Sequence, residues 1–185
     1  DSGWAEAVKD CRYIQHIASP FPVDAPDNRE GLVPVARAGT QRVLENGFSS
    51  GVECIVMTSS IVAMIGQRGK SNHMVFGEDD WLDPDWKSLK AYAVSKTRAE
   101  QSAWAYVRAQ GFENRFATVN PALVLGPDSY ANAGVSLGVI RSMLSGRMPR
   151  VPKVAYPIID VRDCASIHVA AMTGESTRGR RLIAA

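Results

Sequence analysis

Apolar residues along this chain follow two spacings, which predict where strands and helices lie. Short apolar runs rich in β-branched residues predict strands, because these residues pack well on a pleated surface. Such runs lie within residues 11–19, 54–60, 115–127 and 180–185. Helices are predicted over residues 4–10, 29–47, 88–110 and 136–146. Residues 156–172 predict a strand that turns directly into a helix, with Asp160 or Asp163 as its N-cap.

The segment 88–110 gives the clearest helical pattern in the sequence. Its small and apolar residues fall on one face: Ala91, Val94, Ser95, Ala99, Ser102, Ala103 and Tyr106. Small side chains allow close packing of the helix on a neighbour. The sequence leaves two neighbours open, which are the chain's own sheet and a second copy of the chain in a homodimer.

The alternation of strands and helices predicts an α/β fold, a doubly wound parallel sheet with helices on both faces. In such sheets, ligands bind at the carboxyl ends of the strands. Small and polar residues follow the predicted strands at these ends: Ala18 and Ser19 after the first, Ser59 and Ser60 after the second, and Pro121 after the third. We therefore expect a ligand site where these residues meet.

Composition and charge exclude several classes of protein. The chain has 185 residues, of which 45% are hydrophobic and 22% charged, as is typical of a globular domain. A net charge of +2 gives no reason to expect a nucleic-acid or membrane partner. We find no signal peptide and no apolar run of bilayer length, and the three histidines do not share metal-ligand spacing. The three cysteines are interpreted as buried thiols of a reducing, cytoplasmic compartment.

Ser60, Tyr92 and Lys96 are the candidate catalytic residues. Tyr92 and Lys96 are four positions apart, so they lie on one face of the predicted helix. A phenol has a pKa near 10, and a neighbouring ammonium lowers it toward the working range of an acid or base. A serine hydroxyl beside the phenol could hold a carbonyl oxygen. The same residues also fit a surface pair on a helix and a turn or cap at a strand end.

Five motifs in a fixed order extend this pattern over nearly the whole chain. They are "HIASP" (16–20), "TSS" (58–60), "YAVSK" (92–96), "NPALVLGP" (120–127) and "IDVRDCASIHVA" (159–170). The chain resembles the extended short-chain dehydrogenase/reductase family, and most closely the dihydroflavonol-4-reductase-like branch of its NAD(P)-dependent epimerase/dehydratase proteins. The resemblance implies an NAD(P)H-dependent oxidoreductase that reduces a ketone or aldehyde, or oxidises the alcohol.

The resemblance also implies a role for each matched residue. Ser60 orients the substrate carbonyl, Tyr92 donates the proton, and Lys96 lowers the pKa of the tyrosine and binds the nicotinamide ribose. The further cofactor contacts are Ala18, Ser19 and Thr58 along the dinucleotide, Pro121 and Val124 at the nicotinamide end, and Ser136 at the phosphates. The implied cofactor is NADP, with NAD possible.

The chain departs from the family pattern at its beginning and its end. The family opens with a strand and a Gly-rich turn that binds the pyrophosphate; "DSGW" matches a segment further inside the domain. We therefore expect residues 1–185 to form a single partial NAD(P)-binding, Rossmann-like domain that lacks the first βαβ unit and the C-terminal helices. Loop 61–87 and segment 128–156 are expected to contribute to the substrate side.

A second departure concerns the substrate. Plant flavonoid reductases of this branch have an asparagine five residues after the serine, and this chain has Ile65 there. An apolar side chain cannot hydrogen-bond to a hydroxylated substrate, so we expect a smaller or more apolar ketone or aldehyde. His73 is a second candidate substrate contact. Two alternatives stay open, a nucleotide-sugar epimerase or dehydratase and a non-catalytic NAD(P)-sensing module.

Overall fold

Strands and helices alternate along the chain in the computed structural model, which describes residues 2–22, 26–66, 75–127, 134–148, 150 and 155–185. The strands are β1 (Tyr13–His16), β2 (Cys54–Thr58), β3 (Phe116–Pro121), β4 (Leu123–Leu125), β5 (Ile158–Asp160) and β6 (Arg181–Ala184). The helices are α1 (Trp4–Ala7), α2 (Val33–Ser49), α3 (Ala91–Gln110), α4 (Val135–Leu144) and α5 (Val161–Thr173). Single 3-10 turns lie at Ile61–Ala63, Glu113–Arg115 and Glu175–Thr177.

Four of the strands form one parallel sheet in the order β1-β2-β3-β6. The strands β4 and β5 pair in parallel as a separate two-stranded sheet. Parallel neighbours need crossover connections, and helices supply them here. The predicted parallel α/β architecture is confirmed.

Successive residues of β2 face opposite sides of the main sheet, and each side has its own core. Ile55 and Met57 pack in the cluster that includes residues of α2 and α3. Cys54 and Val56 pack in a second cluster that includes residues of α5. This strand is therefore buried on both faces, as its continuous apolar run predicts, and helices cover both sides of the sheet.

A glycine lets α2 approach the sheet closely. A Cβ at Gly47 would lie 2.6 Å from Ile14 Cδ1 and 2.7 Å from Ile55 Cδ1. Real Cβ atoms do not come that close to other carbons, so with any larger residue at this position the two isoleucine side chains would have to move. The missing side chain lets the helix lie directly against them.

Two predicted strands are shorter or differently divided in the structure. A strand is predicted over residues 11–19. In the structure β1 ends at His16, because the chain turns there into a Pro-containing loop. One strand is predicted over residues 115–127. The structure has two strands there, β3 and β4, with Ala122 between them. The Ala122 amide donates to the carbonyl of Ala184 at 2.8 Å before the chain leaves the main sheet.

The helix ends follow the predicted cap chemistry. Asp160 is the N-cap of α5 and accepts from the Arg162 amide at 2.8 Å. Gly111 follows α3 with a φ of 70°. That is a left-handed conformation, which glycine adopts without a steric penalty. The helix predicted over 88–110 begins at Ala91, because Lys90 has an extended backbone.

Two predictions about packing have different outcomes. The small face of α3 packs within the chain, where Ala99 and Ala103 belong to the core cluster shared with α2. Burial of all three cysteines was predicted, and this is wrong for Cys11, which lies exposed in the turn between α1 and β1; Cys54 and Cys164 are buried free thiols.

Across the described residues, no helix is both long and apolar enough to cross a membrane.

Candidate active site

Three residues with hydroxyl side chains lie where β2 ends, at the carboxyl edge of the main sheet. Thr58 ends the strand, and Ser59 and Ser60 follow it as buried residues. The Ser60 side chain caps the next 3-10 turn, since its hydroxyl accepts from the Val62 amide at 3.4 Å. Ser60 therefore lies between a buried strand and a 3-10 turn whose Ala63 is buried.

The helix α3 carries Tyr92 in its first turn and Lys96 one turn later. The Lys96 amino group donates to the Thr58 carbonyl at 3.2 Å and lies 5.9 Å from the centre of the Tyr92 ring. The Tyr92 ring packs against Phe21 with a centroid separation of 4.6 Å. The lysine is only 5% exposed. A hydrogen bond thus ties the start of α3 to the end of β2.

A cavity of about 390 Å³ lies over these groups. Most of the predicted site residues line it, namely Ser19, Thr58, Ser60, Ile65, Tyr92, Lys96, Pro121, Val124 and Ser136. Ala18 lines a neighbouring groove that it shares with Ser19. His73 lies outside the described residues. The structure therefore brings together residues that are separated by more than a hundred positions in the chain.

The pKa of Tyr92 differs from the sequence-based expectation. Burial raises the pKa of the phenol above its usual value, and a hydrogen bond with Ser60 lowers it in part. The expected lowering by Lys96 is not found, because the amino group bonds to the Thr58 carbonyl instead of the phenol. The raised pKa favours the neutral phenol in this structure.

The pKa of Lys96 is lowered to about 8 by burial, and the carboxylate of Glu100 opposes this change. Burial and the charge of Lys96 also lower the pKa of His16. A lysine with a pKa near 8 is mostly charged at neutral pH and still able to lose its proton. It can act as an electrostatic partner for a negative charge that develops beside it.

Thr58 is oriented by a buried histidine. Its hydroxyl lies 2.7 Å from His168 Nε2, and His168 Nδ1 lies 2.8 Å from the carbonyl oxygen of Cys164. A carbonyl only accepts, so Nδ1 carries a proton, and in the neutral imidazole Nε2 accepts from the threonine. Thr58 therefore contacts α5 through its side chain and Lys96 through its carbonyl.

The wall of the cavity beyond Ser60 is apolar. Ile61, Val62 and Ile65 line it on this side, and Leu123 and Val124 line it on another. The described lining contains no carboxylate. Such a wall offers few polar contacts to a molecule bound in the cavity.

The sequence analysis missed a polar group behind the cavity. The fully buried carboxylate of Glu100 accepts hydrogen bonds from Ser59 at 2.6 Å and from Asn120 at 2.9 Å. Two signals could have identified it. Glu100 is a charged residue four positions after Lys96 on the buried face of α3, and Asn120 interrupts an apolar strand.

The residues around the cavity fit the nicotinamide half of NADP. Ser19, Thr58 and Ser136 supply hydroxyl groups and Lys96 supplies an ammonium group, which suit a ribose and phosphates. Pro121 and Val124 provide an apolar wall of the kind that a nicotinamide ring packs against. No group of three or more His, Cys, Asp or Glu side chains in the described part of the chain is arranged as metal ligands.

Comparison with known sequences gives a match over almost all of the chain. The model of one sequence family, described as the NAD dependent epimerase/dehydratase family, matches residues 2–183. Cinnamoyl-CoA reductase CAD2 of Medicago truncatula is 31% identical over 188 residues, which are 99% of this chain and 56% of the relative. The NADPH-dependent methylglyoxal reductase GRE2 of Saccharomyces cerevisiae is 29% identical over 192 residues, 95% of this chain and 56% of the relative.

Comparison with solved structures gives the same fold. The crystal structure of yeast methylglyoxal/isovaleraldehyde reductase Gre2 with NADPH superposes with a TM-score of 0.85 at 29% identity. That match covers 98% of this chain and 58% of the yeast chain. The chain spans about half the length of the curated relatives it matches.

Proposed function

Because this chain belongs to the NAD dependent epimerase/dehydratase family, we propose that its complete protein is an NADPH-dependent reductase of small ketones or aldehydes. The observation that carries the proposal is that Ser60, Tyr92 and Lys96 line one cavity with apolar walls. The similar yeast and plant proteins are reductases by name, and one of them is described as NADPH-dependent.

The reaction adds one hydride and one proton to a carbonyl group. NADPH supplies the hydride to the carbonyl carbon when it is bound. Ser60 and the Tyr92 phenol hold the carbonyl oxygen by hydrogen bonds, and as negative charge develops on this oxygen the phenol gives it its proton. The products are the alcohol, NADP⁺ and a tyrosinate, and the reverse sequence oxidises the alcohol.

Lys96 makes this proton transfer possible. Burial raises the pKa of Tyr92, so the phenolate is unfavourable without a nearby positive charge. In this structure the Lys96 ammonium group bonds to the Thr58 carbonyl, 5.9 Å from the centre of the Tyr92 ring, and it would turn toward the phenol to stabilise the phenolate as it forms. The lysine also offers hydrogen-bond donors to a ribose, so one residue serves both cofactor binding and acid strength.

The same proposal assigns cofactor and substrate sides to the cavity. Ser19, Thr58, Pro121, Val124 and Ser136 would contact the nicotinamide half of NADPH, with Ala18 close to it in the neighbouring groove. Ile61, Val62 and Ile65 belong to loop 61–87, and with residues of segment 128–156 they would face the substrate. The apolar side chains there favour a small apolar carbonyl compound over a sugar nucleotide or a flavonoid.

The location and assembly of the protein remain predictions. We place the protein in the cytoplasm, which suits three free cysteines. A homodimer would be tested by sedimentation of the complete protein. Neither point is needed for the chemistry proposed above.

The test is NADPH oxidation by the complete protein in which this sequence occurs, with methylglyoxal, isovaleraldehyde, a flavonoid ketone and a nucleotide sugar as substrates. We expect turnover of the small aldehydes and a loss of at least about 100-fold in Tyr92→Phe, since general acid catalysis contributes that much. Retention of NADPH binding by the variant would show that the site is intact. Full activity of Tyr92→Phe would contradict the assignment of the proton donor.

A further inference from the structure

The carboxylate of Glu100 is fully buried and has four hydrogen-bond donors around it. Oε1 accepts from Arg181 Nε at 2.7 Å and from the Thr118 hydroxyl at 3.0 Å. Oε2 accepts from the Ser59 hydroxyl at 2.6 Å and from Asn120 Nδ2 at 2.9 Å. A buried charge is tolerated when it is paired and fully hydrogen-bonded, and this one joins α3 to β2, β3 and β6.

The Oε2 side of this carboxylate reaches the end of β2. Ser59 is the neighbour of Ser60 in the chain. Asn120 Nδ2 also donates to the backbone carbonyl of Ser60 at 3.1 Å, so the same amide group holds Glu100 and Ser60. The serine that lines the cavity is thus tied to α3, the helix that carries Tyr92 and Lys96.

The Oε1 side is anchored away from the cavity. Arg181 is 7% exposed, and it also donates to the carbonyl oxygens of Glu78 at 2.9 Å and Asp80 at 2.5 Å. Its guanidinium carbon lies 3.5 Å from the centre of the Trp81 ring. These contacts anchor the arginine, and through it Oε1, on the side away from the cavity.

We propose that Glu100 is a positioning residue of this site, whose buried carboxylate fixes the serine at the end of β2 relative to the tyrosine and lysine of α3. The inference rests on the reductase function proposed above. No direct contact of Glu100 with substrate or cofactor is needed, because it acts through Ser59, Asn120 and Lys96.

Glu100 also supports the charge of Lys96, which lies one turn earlier on the same helix. The other titratable groups that face the lysine are Tyr92 on α3 and His16 on β1, and Thr58 offers it a carbonyl. Glu100 is the group that favours the ammonium form of Lys96 against the effect of burial. A neutral lysine could not stabilise a tyrosinate. Glu100 therefore affects the reaction by favouring the charged form of Lys96.

The test compares Glu100→Gln with the wild-type protein by two readouts. Glutamine keeps the shape but turns one acceptor into a donor. The hydroxyl on that side can turn to accept from the new NH2 group, but the N–H donor there, Asn120 or Arg181, loses its partner. We expect kcat for NADPH oxidation to fall by about 100-fold with a small change in KM for NADPH, as expected of misplaced groups. We also expect the NMR titration of isotope-labelled Lys96, assigned with Lys96→Met, to move to lower pH.

A second variant separates position from charge and covers the case in which Glu100→Gln does not fold. Asn120→Leu removes the link between Glu100 and Ser60 but leaves the carboxylate. We expect kcat to fall by at least about tenfold while the titration of Lys96 stays unchanged. Thr97→Val is the control, since its buried hydroxyl bonds to the Ala93 carbonyl on the same helix at 2.8 Å; its kcat should stay within about twofold of wild type.

Two results would overturn the proposal. One is a folded Glu100→Gln protein whose kcat and Lys96 titration match the wild type. The other is an Asn120→Leu protein as active as Thr97→Val. If the wild-type protein oxidises NADPH with none of the carbonyl compounds, the proposed function has failed, and the Lys96 titration of Glu100→Gln alone then decides on Glu100.

Discussion

The amino nitrogen of Lys96 lies 3.2 Å from the carbonyl oxygen of Thr58. Both the ammonium and the neutral amine carry N–H groups, so either form can donate to this carbonyl. Loss of the lysine proton therefore changes the charge of the site without removing the hydrogen bond that ties α3 to β2. A change of pH should act on this residue through electrostatics, with the geometry kept.

The free energy of unfolding should depend on pH through Lys96. Its pKa is about 8 in the folded chain and 10.5 as the ordinary value. Between these values the unfolded chain holds a proton that the folded chain has lost, so stability rises with pH in this window. The rise attributable to Lys96 is at most about 3 kcal/mol.

Urea unfolding at several pH values between about 7 and 10 measures this effect. In Lys96→Met the part of the rise in unfolding free energy that comes from Lys96 should be absent, because methionine has no proton to release. Lys90→Met is the matched control, since Lys90 is exposed at the start of the same helix. Parallel pH curves for the wild type and Lys96→Met would contradict a lowered pKa in the folded state.

Replacement of Ile65 by asparagine should change substrate preference. The side chain of Ile65 lines the apolar wall of the cavity. In Ile65→Asn we expect kcat/KM for isovaleraldehyde to fall about tenfold, which is typical of a lost apolar contact, and hydroxylated ketones to gain relative to it. Val75→Asn, in the same loop at a position 93% exposed, should leave both values unchanged. If both variants changed kcat/KM equally, the assignment of Ile65 to the substrate side of the cavity would be contradicted.

Two alanine substitutions in α2 should have opposite effects on stability. A Cβ at Gly47 meets two isoleucine side chains, whereas a Cβ at Gly39 has nothing within 4 Å. Gly39→Ala should stabilise the protein by about 0.5–1 kcal/mol, because alanine favours a helix. Gly47→Ala gains the same helix preference, but displacement of the two isoleucine ends costs about 1–3 kcal/mol, so we expect a net destabilisation of about 1 kcal/mol. Thermal unfolding of both variants checks the difference, and stabilisation by Gly47→Ala would show that the helix is not closely packed there.

The three thiols should react at different rates with a disulfide reagent. Cys11 is exposed, whereas Cys54 and Cys164 are buried. Burial also raises the pKa of both buried thiols, which lowers their thiolate content. We expect one thiol to react rapidly in the native protein and all three after unfolding. Loss of the rapid phase in Cys11→Ser would identify the residue, and rapid reaction of a second thiol would contradict the described packing.

Contacts between residues close together in the sequence could be predicted, whereas contacts between residues far apart in the sequence could not. Tyr92 and Lys96 are four residues apart on one helix, so their proximity follows from helical geometry alone. The division of residues 115–127 at Ala122 depends on a hydrogen bond to Ala184, which no local pattern contains. Single-sequence patterns thus predict the faces of elements better than the point where a strand changes sheets.

The candidate site shows the same limit. Ser60 and Pro121 could be placed together because the carboxyl ends of parallel strands share one edge, and both line the cavity. The expected lowering of the Tyr92 pKa by Lys96 is not found in this structure, because burial raises that pKa and the Lys96 amino group bonds to the Thr58 carbonyl instead of the phenol. The partners of Glu100 lie between 18 and 81 positions from it, so periodicity could not reveal them.

The ion pair between Glu100 and Arg181 has a consequence for how the protein is made. Arg181 follows Glu100 by 81 residues, so a ribosome that adds about 5–20 residues per second completes the pair about 4–16 s after the glutamate. During that interval α3 has a carboxylate without its arginine, and β3 has an open edge where β6 will pair. The site therefore takes its final form only after β6 has been made and has joined the sheet.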